Sequence, residues 1–228
     1  FLSVPAKLHW FQVHQPEIYA KITIALSLAD WISWRLTGET TSETTLAAEM
    51  GLLDIHDRHW ASKLMYDMGL AVNDNVPLVQ ATDIVGQVSA IAAKDSGLKQ
   101  GIPVVTCGPD TQCGLLGTGT TETSQVGIIT GWSTPLQMVT ACPILCPEGK
   151  TWAGCFLTDN KWVLESSAGD TGNSYQWLAH MLYSKQTDAF DFMDAEAGII
   201  APGAEGTSVF LLLPRKTELF PFFYLASE

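Results

Sequence analysis

Apolar residues recur at steps of four and three through residues 17–36, EIYAKITIALSLADWISWRL, at Ile18, Ile22, Leu26, Ala29, Ile32 and Leu36. That spacing predicts one amphipathic helix, stopped by Thr37-Gly38. TTSETTLAAEMGLLD follows, polar at first and then helical or irregular. Asp57 can cap a helix through WASKLMYDM, with Gly69 ending it. Val76-Pro77 and Asp83–Gly86 read as extended connections, and residues 88–97 predict a further helix ending at Gly97. In GIPVVTCG, residues Ile102, Val104 and Val105 form a short apolar run between glycines, the pattern of a buried strand. PDTQCGLLGTG then starts a helix, because proline suits the first helical position and an acid suits the first turn.

The texture changes past residue 120. VGIITG and PLQMVT predict two short strands joined by Gly131-Trp132-Ser133-Thr134. TWAGCFL and KWVLESS predict two more, joined at Thr158-Asp159-Asn160. Asp170 or Thr171 can cap a helix through SYQWLAHMLY, with Tyr175, Leu178 and Leu182 on one face. Residues 188–197 read as helix, and 207–214 as a strand ended by proline. The front is helix-rich with a strand before Asp110; the back opens with antiparallel strands. A domain boundary near 118–125 divides the chain into 1–120 and 121–228. No internal repeat is detectable.

Composition adds exclusions. The 228 residues are enough for one large domain or two smaller ones, and 46% are hydrophobic against 16% charged. A net charge of −12, with no cluster of Lys and Arg, argues against nucleic acid. No apolar run approaches the length of a membrane span, and no secretory signal pattern is present. The expectation is an acidic, cytoplasmic protein. The five cysteines, Cys107, Cys113, Cys142, Cys146 and Cys155, have irregular spacing and read as reduced thiols packed as small apolar residues. Neither they nor the pairs His9/His14 and His56/His59 fix a metal site.

Two stretches can carry chemistry. Asp110 sits where a strand end meets a helix start, a place where α/β proteins gather ligand groups. Its residue type serves equally as a first-turn acid pairing with the helix dipole. The turn Gly131-Trp132-Ser133-Thr134 offers backbone N–H groups and hydroxyls that can cradle phosphate, and equally reads as a plain hairpin turn. It is not a P-loop, since the lysine and flanking glycines are absent, and GLLGTG lacks the dinucleotide glycine order. Trp132, Trp152, Trp162 and Trp177 read as core aromatics, with sugar stacking as the alternative.

The chain resembles the FGGY family of carbohydrate kinases, along most of its length and in order. AKLHW at 6–10 followed by PEIYAKI is similar to the family's K-L-x-W … P-E-x-x-x-K pattern. LADWISWRLTGE at 28–39 resembles its D-Y/W … L-T-G-E segment, and GLLDIHDRHWASKLM the stretch after it. GLKQGIPVVTCGPDTQCGLLGTG resembles G-L-x-x-G-x-P-V-x-x-G-x-x-D with a small-residue tail. The resemblance implies an α/β fold of two ribonuclease-H-like domains of the actin, Hsp70 and sugar kinase type, facing a cleft. Residues 1–120 would be the C-terminal part of the sugar-binding domain, and 121–228 the N-terminal part of the ATP-binding domain. Both are incomplete, since the family's N-terminal Asp-x-Gly-Thr motif and its Gly-rich adenine loop are not in the sequence.

The resemblance further implies ATP-dependent phosphorylation of a sugar or polyol hydroxyl, with ATP and Mg2+ as cofactors. Asp110 would be the base, Thr111 and Gln112 substrate contacts, and Thr130, Gly131, Ser133 and Thr134 the holders of the ATP phosphates. The family's Gly-Thr-Ser reads Gly131-Trp132-Ser133 here. Expected partners are a small-molecule sugar or polyol and a second copy in a homodimer, with no nucleic acid and no membrane. Two alternatives stay open: a relative that binds sugar or nucleotide without transfer, and an acceptor such as glycerol.

Overall fold

The computed structural model describes residues 3–70, 75–167, 169–184, 186–212 and 222–226. Packing divides the chain into two compact units. One holds Phe1–Gly127 with Leu136–Ser166, the other Ile128–Pro135 with Ser167–Glu228. The strands over 136–166 thus pack with the front of the chain, a different grouping from the change of texture near residue 120.

The first unit is built on short elements tied by buried polar groups. The predicted continuous helix over 17–36 is two pieces. Pro16–Tyr19 is one turn, residues 22–27 are irregular, and Leu28–Thr37 is the real helix. Ser27 decides the break. Its Oγ accepts the Asp30 N–H at 3.0 Å, a capping bond that starts a helix rather than continuing one. The apolar periodicity before it is still used, because Ile22 and Ala25 pack onto the cluster of Leu8, Leu52, Met65 and Leu70 from an irregular backbone. The C-terminal signal works as predicted. Gly38 takes the left-handed conformation at φ +86, and its N–H closes on Trp34 O.

Asp30 is 2% exposed and makes more than a cap. Its Oδ2 accepts the Ser27 and Ser42 hydroxyls, both at 2.9 Å, and its Oδ1 accepts the Glu43 N–H at 3.0 Å. The strand Ser42–Glu43 is thereby pinned to the helix start and pairs in parallel with Leu78–Val79. Glu43, fully buried, then caps the helix Thr44–Glu49, its Oε2 accepting N–H groups of Thr45 at 2.9 Å and Leu46 at 3.0 Å. Burial pushes the Glu43 carboxyl above the usual range, the bonds from Thr45 and Leu46 pull it back, and Asp30's charge adds to the rise.

Other predicted elements shift in detail. Asp57 caps nothing; His59–Trp60 pairs with Leu53–Asp54, and the helix there is Ser62–Asp67. The helix Ala90–Ser96 ends at Gly97, as its pattern predicts, and the structure adds Ser89 as its cap. Pro103–Val105 is a strand, but not a buried one. It pairs antiparallel with Ile84–Gln87, and Val105 is 54% exposed. The following helix is Asp110–Gly117, with Pro109 at the cap and Asp110 as its first residue. Four strands form one sheet in the order Val126–Ile128, Pro135–Thr140, Trp162–Ser167, Trp152–Cys155, the last two antiparallel with Val163 opposite Gly154. Arg58 lies 5.1 Å over the Trp162 ring, and Trp162 Nε1 donates to Ile55 O at 2.7 Å, so this tryptophan is half-buried support.

In the second unit the helix Thr171–Tyr183 carries Ser174 and Ala179 inward, while Tyr175 and Leu182 of the predicted apolar face are exposed. Tyr175 instead stacks on Phe190 of the helix Ala189–Gly198, ring centres 5.4 Å apart. The strand predicted over 207–214 is Ser208–Leu212, paired with Phe222–Ala226; Pro214 lies outside the described residues. Among the described residues no helix is long and apolar enough to cross a membrane. All five cysteines are free, and Cys155 alone is fully packed inside, while Cys107 and Cys142 are exposed. Trp132 and Trp177 are likewise exposed rather than core.

Replacing Asp30 by Ala leaves the buried Glu43 N–H without an acceptor and removes the partner of two hydroxyls. Urea unfolding is expected to register a loss of about 1–3 kcal/mol for each buried group orphaned. A change below about 0.5 kcal/mol, within the range of ordinary surface substitutions, would refute this role.

Candidate active site

Asp110 opens its helix on the surface of the first unit. Its Oδ1 accepts the Thr111 N–H at 2.8 Å, while Oδ2 has no protein partner among the described residues. An exposed carboxylate with one free oxygen can accept a proton from a bound hydroxyl. The turn before it is held close by Gly108. A Cβ there would stand 2.2 Å from Leu157 Cδ2 and 2.6 Å from Thr45 Oγ1. Thr45 belongs to the Glu43-capped helix, so the buried carboxylates of the fold fix the floor under the Asp110 turn.

Thr111 is half-buried beside Asp110. Its Oγ1 lies 3.4 Å from Gln137 Nε2, and that amide donates to Glu165 Oε2 at 2.6 Å. Gln112, expected as a substrate contact, points the other way. It is fully buried, and its Nε2 donates to Cys155 O at 3.0 Å, which anchors the helix to the sheet. The sequence reading missed Gln137, Glu165, Glu43 and Glu49. A polar residue inside the apolar strand PLQMVT was the available signal for Gln137.

Glu49 ends the helix Thr44–Glu49 and lines a concavity of about 370 Å³ with Lys7, Ser27 and Met50 among others. Crowding by protein, and then the charges of Glu165, Asp110 and Glu43, push its carboxyl up to about 7. More than a third of Glu49's surface nevertheless reaches water. Solvent on that open side screens part of the repulsion, so the proton is held less firmly than the crowding alone implies.

The turn Thr130–Thr134 lies in the second unit and is strapped to the start of the helix Thr171–Tyr183. Gly172 N–H donates to Trp132 O at 3.0 Å, and a Cβ on Gly172 would fall 2.1 Å from Gly131 O. Thr134 Oγ1 is 2.6 Å from Thr171 Oγ1, so its hydroxyl is already engaged. The Gly131 N–H is engaged by Ser133 O at 3.1 Å. Among the described residues the hydroxyls of Thr130 and Ser133 and the N–H groups of Trp132 and Ser133 have no protein partner. Trp132 is 66% exposed and leaves this backbone open. No three His, Cys, Asp or Glu side chains converge to hold a metal among the described residues.

The raised Glu49 carboxyl has a stability consequence. The folded protein keeps a proton up to about 7 that the unfolded chain releases near 4.5, so stability falls as pH rises through this window. Glu49→Gln removes the titration. Thermal melts near pH 5 and pH 8 should show the variant gaining on the wild type only at the higher pH. A difference that is the same at both pH values would contradict the reading.

Comparison with known proteins fits this architecture. The model of the FGGY family of carbohydrate kinases, N-terminal domain, matches residues 3–117, half of the chain. The chain is 27% identical over 215 residues to the autoinducer-2 kinase of Escherichia coli (strain K12), covering 90% of this chain and 40% of that protein. It therefore spans well under half the length of the curated relatives it matches. The xylulose kinase structure from Rhodospirillum rubrum superposes with a TM-score of 0.77 at 24% identity, covering 99% of this chain and 46% of that one. The gluconate kinase structure from Lactobacillus acidophilus gives 0.78 at 17% identity, covering 91% and 42%. These two likenesses establish the sugar kinase α/β fold, of which the chain is a part. With its fold and its Asp110 segment accounted for, the chain belongs to the FGGY family of carbohydrate kinases.

Proposed function

We propose that this chain is the central part of an ATP-dependent kinase acting on a sugar or polyol hydroxyl, with Asp110 as general base. Residues 1–120 would belong to its sugar-binding domain and 121–228 to its ATP-binding domain. The observation that carries the reading is the Asp110 carboxylate: exposed, fixed at one oxygen by the Thr111 N–H, and open at the other. Asp110 Oδ2 would take the proton of the hydroxyl as its oxygen attacks the γ-phosphorus of ATP. The products are the phosphate ester, ADP and the proton. Positioning and charge stabilisation supply most of the acceleration in phosphoryl transfer, and a base is needed only to orient and relieve the nucleophile.

In the second unit, the open N–H groups of Trp132 and Ser133 and the hydroxyls of Thr130 and Ser133 suit phosphate oxygens. Gly131 would serve through its carbonyl, which seats the turn against Gly172, and Thr134 by bracing the turn on Thr171. Tryptophan in place of threonine removes one hydroxyl but no backbone donor, which supports retained nucleotide binding. Mg2+, implied by the family, would neutralise charge on the nucleotide's phosphates. A small-molecule acceptor, a homodimer and a cytoplasmic setting are part of the same proposal.

One observation favours a second reading. The exposed Trp132 ring at the phosphate-type turn suits a relative that binds sugar or nucleotide without transferring phosphate. ADP release by the intact protein with D-xylulose, D-gluconate and glycerol separates the two. Turnover with any of them supports the kinase, and ATP binding without turnover on a broad acceptor panel supports the alternative.

Asp110→Asn in the intact protein is expected to cut transfer by about 10²–10⁴-fold while leaving ATP binding unchanged. Near-normal rates would remove Asp110 from the mechanism. Gly172→Ala is expected to push the 131–132 turn away and weaken ATP binding about tenfold or more by calorimetry, roughly 1.4 kcal/mol. Unchanged ATP affinity would show that the turn does not hold the nucleotide.

A further inference from the structure

Gln137 is an expensive residue where it stands. It lies on Pro135–Thr140, a strand whose neighbour Val139 is fully buried, and is itself 0% exposed. Its Oε1 is buried with no hydrogen-bond partner. A leucine of similar volume would avoid the cost of that orphaned buried acceptor. The orientation of the amide is set by chemistry. Glu165, on the adjacent strand Trp162–Ser167, offers a carboxylate oxygen that only accepts, so the NH2 side must face it, at 2.6 Å. The second N–H of the same NH2 group is then presented to Thr111 Oγ1 at 3.4 Å. Thr111 Oγ1 is the acceptor in that contact, which leaves its own hydroxyl proton free for a donor role. The Thr111 N–H in turn holds Asp110 Oδ1 at 2.8 Å.

We infer that Gln137, oriented by Glu165, is a positioning residue for the reaction of Asp110: it fixes Thr111, sets the direction of its hydroxyl, and through its backbone N–H fixes the Asp110 carboxylate. The inference rests on Asp110 as base for its catalytic consequence, but not for its structural one. All four residues belong to the first unit, so the linkage does not depend on the placement of the second. It also explains the unpaired Oε1, since turning the amide to satisfy that oxygen would set an acceptor against Glu165 and lose Thr111. The Gln112–Cys155 bond holds the next residue of the same helix turn, so two buried amides grip it from below.

The test uses the intact protein with Gln137→Leu, Glu165→Leu and Glu165→Gln. The first readout needs no substrate: hydrogen exchange at the Thr111 amide, with Val163 in the sheet as internal reference. Gln137→Leu and Glu165→Leu should each speed Thr111 exchange by about tenfold or more without a matching change at Val163. Glu165→Gln keeps an acceptor oxygen and should restore most of the protection. The second readout is ADP release on the acceptor panel, where the Leu variants should lose about 10- to 100-fold in kcat with little change in KM for ATP. Unchanged Thr111 exchange in Gln137→Leu overturns the proposal. So does a loss shared equally by Val163, which marks general destabilisation. If Asp110→Asn retains transfer while Thr111 exchange responds as expected, the base assignment fails and the positioning network stands.

Discussion

The strand Ser42–Glu43, the helix Thr44–Glu49 and the turn that leads into Asp110 depend on one buried contact, the Asp30 carboxylate accepting the Glu43 N–H. An ionised group taken out of water is costly unless its oxygens are met by donors. Asp30 meets that demand with two serine hydroxyls and a backbone amide, drawn from two sides of the 38–41 loop. The loop therefore closes in one geometry. Glu43, brought inside as a result, turns its own side chain to cap the next helix, and Thr45 of that helix lies under Gly108. A helix start at residue 27 thus fixes the height of the backbone that presents Asp110.

The Asp110 segment is gripped in the same manner. Apolar packing supplies the bulk of stability, through Leu8, Leu52, Met65 and Leu70 on one side and Ala47, Ala48, Leu53 and Cys155 on another. Those contacts are not directional. The amides of Gln112 and Gln137 are, and each leaves an oxygen unpaired inside. Directional bonds of this kind add little net stability but restrict the helix turn to one orientation, as the proposed role of Asp110 as a base would require. In the second unit the same result comes from sterics. Gly172 lies so close to the Gly131 carbonyl that no side chain fits at Gly172, and the turn is seated on a helix start.

Local signals were legible wherever one residue type settles a local question. Gly38 and Gly97 end helices because left-handed backbone favours glycine. Periodicity misled over 17–36. Its apolar positions do not share one buried face: Ile18 and Ile32 are exposed, Ile22, Leu26 and Leu36 half-buried, and Ser27 competes for the backbone and begins a new helix there. It misled again over the Tyr175 helix, whose apolar stripe meets another helix's aromatics rather than the core, while Ser174 and Ala179 go inside.

The sequence by itself determined the family, several helix ends and the position of Asp110 at a strand-to-helix junction, because motif order and capping chemistry are written in neighbouring residues. Only the tertiary structure decided what surrounds that carboxylate. Glu43 and Glu49 stand at the two ends of one short helix, while Gln137 and Glu165 come from strands far from it in the chain, and no local pattern relates that helix to those strands. Their effect on one another depends on burial and separation through space, quantities that arise only when the chain has closed around Asp30 and Glu43.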